Sequence, residues 1–378
     1  MYNLLGTGIT AKRLVIKAGT NVLTGNSDNL DMGVMSMLVK QIAELRVRGL
    51  DILLVTSGAI AVGGQLIGHH SANRNISYRQ VLAAVGQGRL MHVYEELFSQ
   101  HDITVAQALL SRNNITDREG YLNVRNTLLS LLALGVVPII NENDVVAVEE
   151  IGVEVFGDND SLSAMVANLV EADLLIMLSD VDGLHTSDPH ENPDARLIQY
   201  VEKIDDSIEA MAGVHHSNRS RGGMHGKLEA IKLAIASGVS VCLVNGSEDS
   251  VIARLFDGES IGTLFDASGT KIESRKRWMV SRISSSGRVT IDEGAVDALI
   301  GRSSSLLPAG VTGVEGSFAR GDIILVIGPG NREVACGISS YGSQDMDLIK
   351  GIKSDSIIEI LGYEYGDEIL HRDNIVLL

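Results

Sequence analysis

Residues 14–21 read LVIKAGTN, and the fold turns on how that octet is read. Leu14, Val15 and Ile16 form a short apolar run, and Gly19 closes it. A run of that length ended by glycine predicts a strand buried on both faces. The pattern recurs in DILLVTSG (51–58), ITVAQALL (103–110), VVPIIN (136–141), DLLIMLSD (173–180) and VSVCLVNG (239–246). Helical periodicity fills the gaps at 33–48, 80–98 and 226–238. A capping box of Thr116 and Glu119 predicts a further helix running to about Leu134. Apolar strands alternating with helices predict an α/β fold: a mainly parallel sheet sandwiched between helices.

The composition changes further along. Residues 247–275 form a junction with two short turn-like pieces, ARLFDG and ESIGTLFDAS. Beyond Arg275 comes one short helical pattern (294–302), then strand and turn material with Gly or Pro every few residues. That spacing predicts a small β-rich barrel or sandwich. The chain of 378 residues suits two domains. The expected boundaries are 1–260 for the α/β domain, 261–275 for a linker and 276–378 for the β-rich domain.

Charge and cysteine content exclude several classes. The formal net charge of −17 speaks against a general polyanion binder. Residues 276–378 hold 10 Lys/Arg against 14 Asp/Glu, a net of −4, so a phosphate-tracking RNA surface is disfavoured there too. The two cysteines, Cys242 and Cys336, sit far apart in apolar runs and imply buried thiols. No HExxH or zinc-ligand spacing occurs, and no metal ligand is assigned. The N-terminus lacks the order of a signal peptide, and the apolar run 128–140 is too short to cross a bilayer. A cytoplasmic protein is expected.

In an open parallel sheet, ligands bind beyond the carboxyl ends of the strands. Here those ends are polar or glycine-rich: Lys17-Ala18-Gly19-Thr20-Asn21, Thr56-Ser57-Gly58-Ala59, Asn141-Glu142-Asn143-Asp144 and Ser179-Asp180-Val181-Asp182-Gly183. A lysine inside an apolar strand is costly to bury without a partner, and Gly19 lets backbone approach an anion. RGGMHGK (221–227) misses the P-loop pattern, because Arg221 and Leu228 replace its first Gly and its Ser/Thr. A glycine-rich turn entering a helix still suits an anion. FGDNDSLSA (156–164) leaves several readings open: a helix N-cap at Asp160 or Ser161, a metal set, an acid/base pair, or part of a phosphate site. Two lysines on separate glycine-rich loops, faced by carboxylates and amides, fit phosphoryl transfer without a P-loop.

Taken in order, VIKAGTNVLTG (15–25), LLVTSGAIAVG (53–63), LAAVGQGRL (82–90), PIINENDVV (138–146), FGDNDSLSA (156–164), LSDVDGLHTSDP (178–189) and GGMHGKLEA (222–230) resemble the amino acid kinase family. The C-terminal part resembles the PUA domain that many of these kinases carry. The resemblance implies an eight-stranded, mainly parallel sheet. It implies ATP-dependent phosphorylation of the γ-carboxylate of L-glutamate, the first step toward proline, with Mg2+ bridging the phosphates. Lys17 and Lys227 would neutralise the migrating phosphoryl group, and Asp160 would hold both lysines. Ser57, Asp144 and Asn159 would bind glutamate. Lys17, Gly19, Thr20, Ser179, Asp180, Arg221, Gly222, Gly223, Met224, His225, Gly226 and Lys227 would line the ATP site. A general base has no task, because the attacking carboxylate is already ionised. Asp158 is expected to serve loop structure alone. The family further implies a homodimer or homotetramer, proline as feedback inhibitor, and coupling to glutamyl phosphate reductase. Three positions depart from its usual pattern. Arg221 replaces Thr, Asn21 replaces Ser, and Ser179 replaces Thr.

Overall fold

The computed structural model describes residues 2–4, 9–25, 27, 29–68, 76–146, 159–189, 192–212, 223–267 and 287–378. The chain divides into two compact units. One comprises residues 1–115 and 125–268, the other 116–124 and 269–378.

The first unit opens on an antiparallel ribbon of β1 (Tyr2–Leu4) and β2 (Ile9–Ala11). The strands β3 (Arg13–Ala18), β4 (Asp51–Val55), β5 (Val105–Leu110), β6 (Val137–Glu142) and β7 (Leu174–Ser179) follow. A small hairpin of β8 (Leu184–His185) and β9 (Leu197–Ile198) precedes β10 (Tyr200–Val201), β11 (Ser240–Asn245) and β12 (Thr263–Phe265). Eight of these form one sheet in the order β10-β12-β11-β7-β3-β4-β6-β5. All pairings are parallel except β11 with β12.

The six expected strands therefore exist, five of them within two residues of their predicted ends, while β4 stops at Val55, three residues before Gly58. Their buried faces explain why they read as continuous apolar runs. Leu14, Ile16, Ile52, Leu54, Ile176 and Leu178 pack into one core cluster. The alternate residues Val15, Leu53, Val55, Leu175 and Met177 are buried on the opposite face. Register aligns the strand ends, with Lys17 opposite Val55 and Met177, Val55 opposite Ile140, and Ser179 opposite Asn245. One end of the sheet thus collects Lys17, Asn141 and Ser179 in the last residues of their strands and Ser57 just beyond β4.

Three sequence expectations need correcting. Residues 263–265 are not linker: a turn at Gly262 (φ 71°) returns the chain as a strand antiparallel to β11. Its three residues are too few to show periodicity. The helix expected from a Thr116/Glu119 box begins at Arg118, and Asp117 caps it by accepting from Gly120 N at 2.9 Å. The helix after FGD begins at Asn159, so Asp160 lies inside its first turn and neither Asp160 nor Ser161 is the N-cap. Asp158 lies outside the described residues.

The second unit contains a five-stranded sheet of β13 (Arg288–Ile291), β14 (Val311–Glu315), β15 (Ile323–Gly328), β16 (Arg332–Ile338) and β17 (Ile375–Leu377). Its order is β14-β13-β15-β16-β17. Val289, Ile324, Val326, Leu299, Met346 and Ile357 fill its core. Leu122, which the sequence assigned to the first domain, packs here with Ile323, Cys336, Ile338 and Val376. Both cysteines are buried thiols. Among the described residues no helix is long and apolar enough to cross a membrane.

Candidate active site

Lys17 is the fifth residue of β3 and is 1% exposed. Asp160 occupies the first turn of the helix Asn159–Leu169 and is 3% exposed. Lys227 occupies the first turn of the helix Met224–Ala236 and is 6% exposed. The fold brings these three together from positions 143 and 67 residues apart. Lys17 Nζ lies 2.6 Å from Asp160 Oδ1, and Lys227 Nζ lies 3.5 Å from Asp160 Oδ2. Each carboxylate oxygen thus faces one ammonium, so the trio carries an excess positive charge away from solvent. Buried charge of that kind suits an anionic ligand. Gly19 keeps the approach open, since a Cβ there would stand 3.2 Å from Lys17 Nζ.

Beside the trio runs a network of side-chain amides and hydroxyls. Asn159 Nδ2 donates to Asn141 Oδ1 at 2.9 Å and also to the Thr56 carbonyl. Asn141 Oδ1 accepts the Glu142 backbone N–H at 2.9 Å, and Asn141 Nδ2 donates to Gln87 Oε1 at 2.8 Å. Ser57 Oγ donates to the Ala18 carbonyl at 2.8 Å, tying the ends of β3 and β4. The Thr56 hydroxyl and the Tyr94 hydroxyl lie 2.7 Å apart in full burial.

Two carboxylates stand at the end of β6: Glu142 is its last residue, and Asp144 follows it. Burial and the neighbouring Asp144 push the Glu142 carboxyl up to about 7, with Arg79 offsetting part of the rise. Burial also raises Asp144, again against Arg79. A third carboxylate, Asp180 beyond β7, behaves oppositely. Burial raises it, but hydrogen bonds from Asn21, its own backbone and Ser179, together with the Lys227 charge, bring it below the ordinary range. Asn21 Nδ2 reaches Asp180 Oδ2 at 2.8 Å, and Ser179 Oγ reaches Oδ1 at 3.1 Å. The asparagine at position 21 therefore ties the helix after β3 to the end of β7.

Seven of the expected residues fall into three groups. Lys17, Asp160 and Lys227 meet directly. Ser57 and Asn159 adjoin them through Ala18 and Thr56, while Ser179 and Asp180 form a separate pair bridged to Asn21. Gly19 and Thr20 open the helix after β3, and Gly223, Met224, His225 and Gly226 enter the helix bearing Lys227. Arg221 and Gly222 lie outside the described residues. Sequence reasoning missed Asn141, Gln87 and Glu142 as individual residues. Asn141 had a signal, a polar residue at the end of a buried strand. Gln87 sits inside a helical pattern, within the segment LAAVGQGRL (82–90), which carried the family resemblance but no individual role.

Such a parallel sheet, with two buried lysines bridged by one aspartate at its carboxyl edge, defines a phosphotransferase-type site of the P-loop-free class. Residues 12–245 match the amino acid kinase family, and residues 287–361 match the PUA domain. A glutamate 5-kinase of Herpetosiphon aurantiacus is 46% identical over 364 residues, covering 96% of this chain and 98% of that protein. One of Dehalococcoides mccartyi is 47% identical over 367 residues, covering 97% and 98%. Among solved structures, the UMP kinase of Bacillus anthracis is similar to 68% of this chain and 97% of its own, at 17% identity and a TM-score of 0.49. The chain belongs to the amino acid kinase family and, within it, to the glutamate 5-kinases.

Proposed function

We infer that this chain transfers the γ-phosphoryl group of ATP to the γ-carboxylate of L-glutamate, giving L-glutamyl 5-phosphate and ADP at the entry to proline biosynthesis. The single observation that carries the chemistry is the bridge of Lys17 and Lys227 across Asp160. A γ-carboxylate oxygen forms the new bond to phosphorus as the bond to the β-phosphate oxygen breaks. The carboxylate is ionised at neutral pH, so no proton has to be removed. What the protein must supply is position and positive charge. Lys17 and Lys227 provide the charge toward the migrating group, and Asp160 fixes where the two ammoniums stand. Ser57, Asp144 and Asn159 are proposed to hold glutamate.

Gly19, Thr20, Ser179, Asp180 and the 221–227 segment are proposed to hold ATP. Mg2+ is proposed to enter with ATP as the counter-ion of its phosphates, where it would neutralise developing charge. Asp160 does not suit a metal, because both of its oxygens face ammonium groups.

Several assignments rest on family membership. They are a cytoplasmic location, proline as feedback inhibitor, a homodimer or homotetramer, and coupling to a reductase that consumes the labile acyl phosphate. The domain limits 1–260 and 276–378 are likewise proposed, with 116–124 serving the C-terminal unit.

Hydroxylamine trapping tests the reaction. Purified protein with ATP, Mg2+ and L-glutamate should form the γ-hydroxamate. Folded protein that forms no hydroxamate and releases no glutamate-dependent ADP would refute the assignment. A panel of aspartate, acetylglutamate, carbamate and nucleoside monophosphates would expose a different acceptor.

A further inference from the structure

The amide network beside the trio has its donor and acceptor ends fixed by main chain. The Glu142 backbone N–H can only donate, so the atom of Asn141 that meets it is the carbonyl Oδ1. The other end of Asn141 is therefore its amide, which donates to Gln87 Oε1 at 2.8 Å. That contact in turn fixes Gln87, leaving Nε2 as its second polar atom. Gln87 Nε2 is shut off from solvent and has no hydrogen-bond partner among the described residues. A buried amide donor left unmatched costs free energy comparable to a lost hydrogen bond.

A second observation explains how Gln87 reaches this place. It lies in the helix Ile76–Ser99, directly after Gly86. A Cβ at Gly86 would stand 1.9 Å from the Ala59 carbonyl oxygen, and a Cβ at Gly63 would stand 1.9 Å from the Leu82 carbonyl oxygen. The helices Ala59–Ile67 and Ile76–Ser99 therefore touch backbone to backbone. That contact draws Gln87 to the segment after β4 that carries Ser57.

We propose that Gln87 is a substrate-binding residue whose Nε2 donates to the non-reacting carboxylate of the acceptor amino acid. This rests on the glutamate kinase reading above and extends it. The reacting carboxylate has to meet the phosphoryl group at Lys17 and Lys227. Gln87 joins Asn159, the chain neighbour of Asp160, only through Asn141, two hydrogen bonds along the network, and so is assigned the other end of the ligand. Asn159 spends both amide hydrogens on Thr56 O and Asn141 Oδ1.

The test uses the full chain and two variants, Gln87→Ala and Gln87→Glu. Loss of a hydrogen bond to a charged group predicts a rise in KM for L-glutamate of about 10- to 100-fold, larger for Gln87→Glu. KM for ATP should stay within about twofold, and so should the inhibition constant of 4-aminobutanoate, which lacks the non-reacting carboxylate. A KM for L-glutamate within about twofold of the unmodified chain would overturn the proposal. So would a parallel rise in KM for ATP with a lowered Tm, which would mark Gln87 as a structural prop. Absence of hydroxamate from the unmodified chain is a separate result and would strike the kinase reading instead.

Discussion

Lys17 Nζ lies 2.6 Å from Asp160 Oδ1, a buried ion pair joining a strand end to a helix start 143 residues later. Lys227 reaches the other oxygen of the same carboxylate. The two cations share one carboxylate, and the Lys227 charge also acts on Asp180 beyond β7. That arrangement decides which substitutions should affect rate and which should affect folding.

Lys17→Ala and Lys227→Ala should each lower kcat by roughly 100- to 1,000-fold, the usual effect of removing one charged donor to a transition state. KM for glutamate should change far less, because the charge matters most as the phosphoryl group migrates. Steady-state kinetics with hydroxamate detection check this. An equal fall in affinity and turnover would count against the role given to the lysines.

Asp160→Asn keeps the shape and removes the carboxylate that both ammoniums face. Breaking such a buried pair costs about 3–5 kcal/mol. Urea unfolding should therefore show a lower midpoint, together with a lower kcat. ATP should restore part of the lost stability, because its phosphates return negative charge to the site.

Glu142 gives a pH dependence with a definite sign. Its folded value, about 7, lies above the ordinary 4.5. The protonated form is favoured in the folded chain, so the contribution is fully present below pH 4.5 and is lost as pH rises through about 7. Glu142→Gln stays neutral throughout. The Tm of the unmodified chain should fall relative to this variant between pH 5 and pH 8. A constant difference across that range would show that Glu142 titrates normally.

Gly86→Ala places a methyl group where the Ala59 carbonyl oxygen would stand 1.9 Å away. The two helices must separate, at a cost of about 1–3 kcal/mol for overpacking. The Tm should drop, and glutamate affinity should drop with it because Gln87 moves. Gly88→Ala, two residues on and with open space at its Cβ, should hold or raise Tm, because alanine favours a helix interior over glycine.

Much of the fold was legible because the sheet is buried on both faces. LVIKAG, DILLVTSG and DLLIMLSD carry unbroken apolar runs, and no other local structure accounts for so many of them. The thresholds between elements were less legible. Thr263–Phe265 is too short to show a period, and Leu122 packs with residues some 200 positions later, which no local pattern encodes.

The sequence by itself determined six of the eight strands of the main sheet, the main helices between them and the polar character of four strand ends. It also supplied the motifs that placed Lys17, Asp160 and Lys227 in one site. Only the tertiary structure decided that one carboxylate faces both lysines, because that depends on two helix starts converging on a strand end. It alone decided the sense of the amides. Whether Asn159, Asn141 and Gln87 offer a donor or an acceptor depends on the Glu142 N–H and the Thr56 carbonyl, and those main-chain groups reach them only through the fold. A side chain's chemistry is written in the sequence, but the half of an amide that faces a ligand is set by whichever neighbour holds the other half.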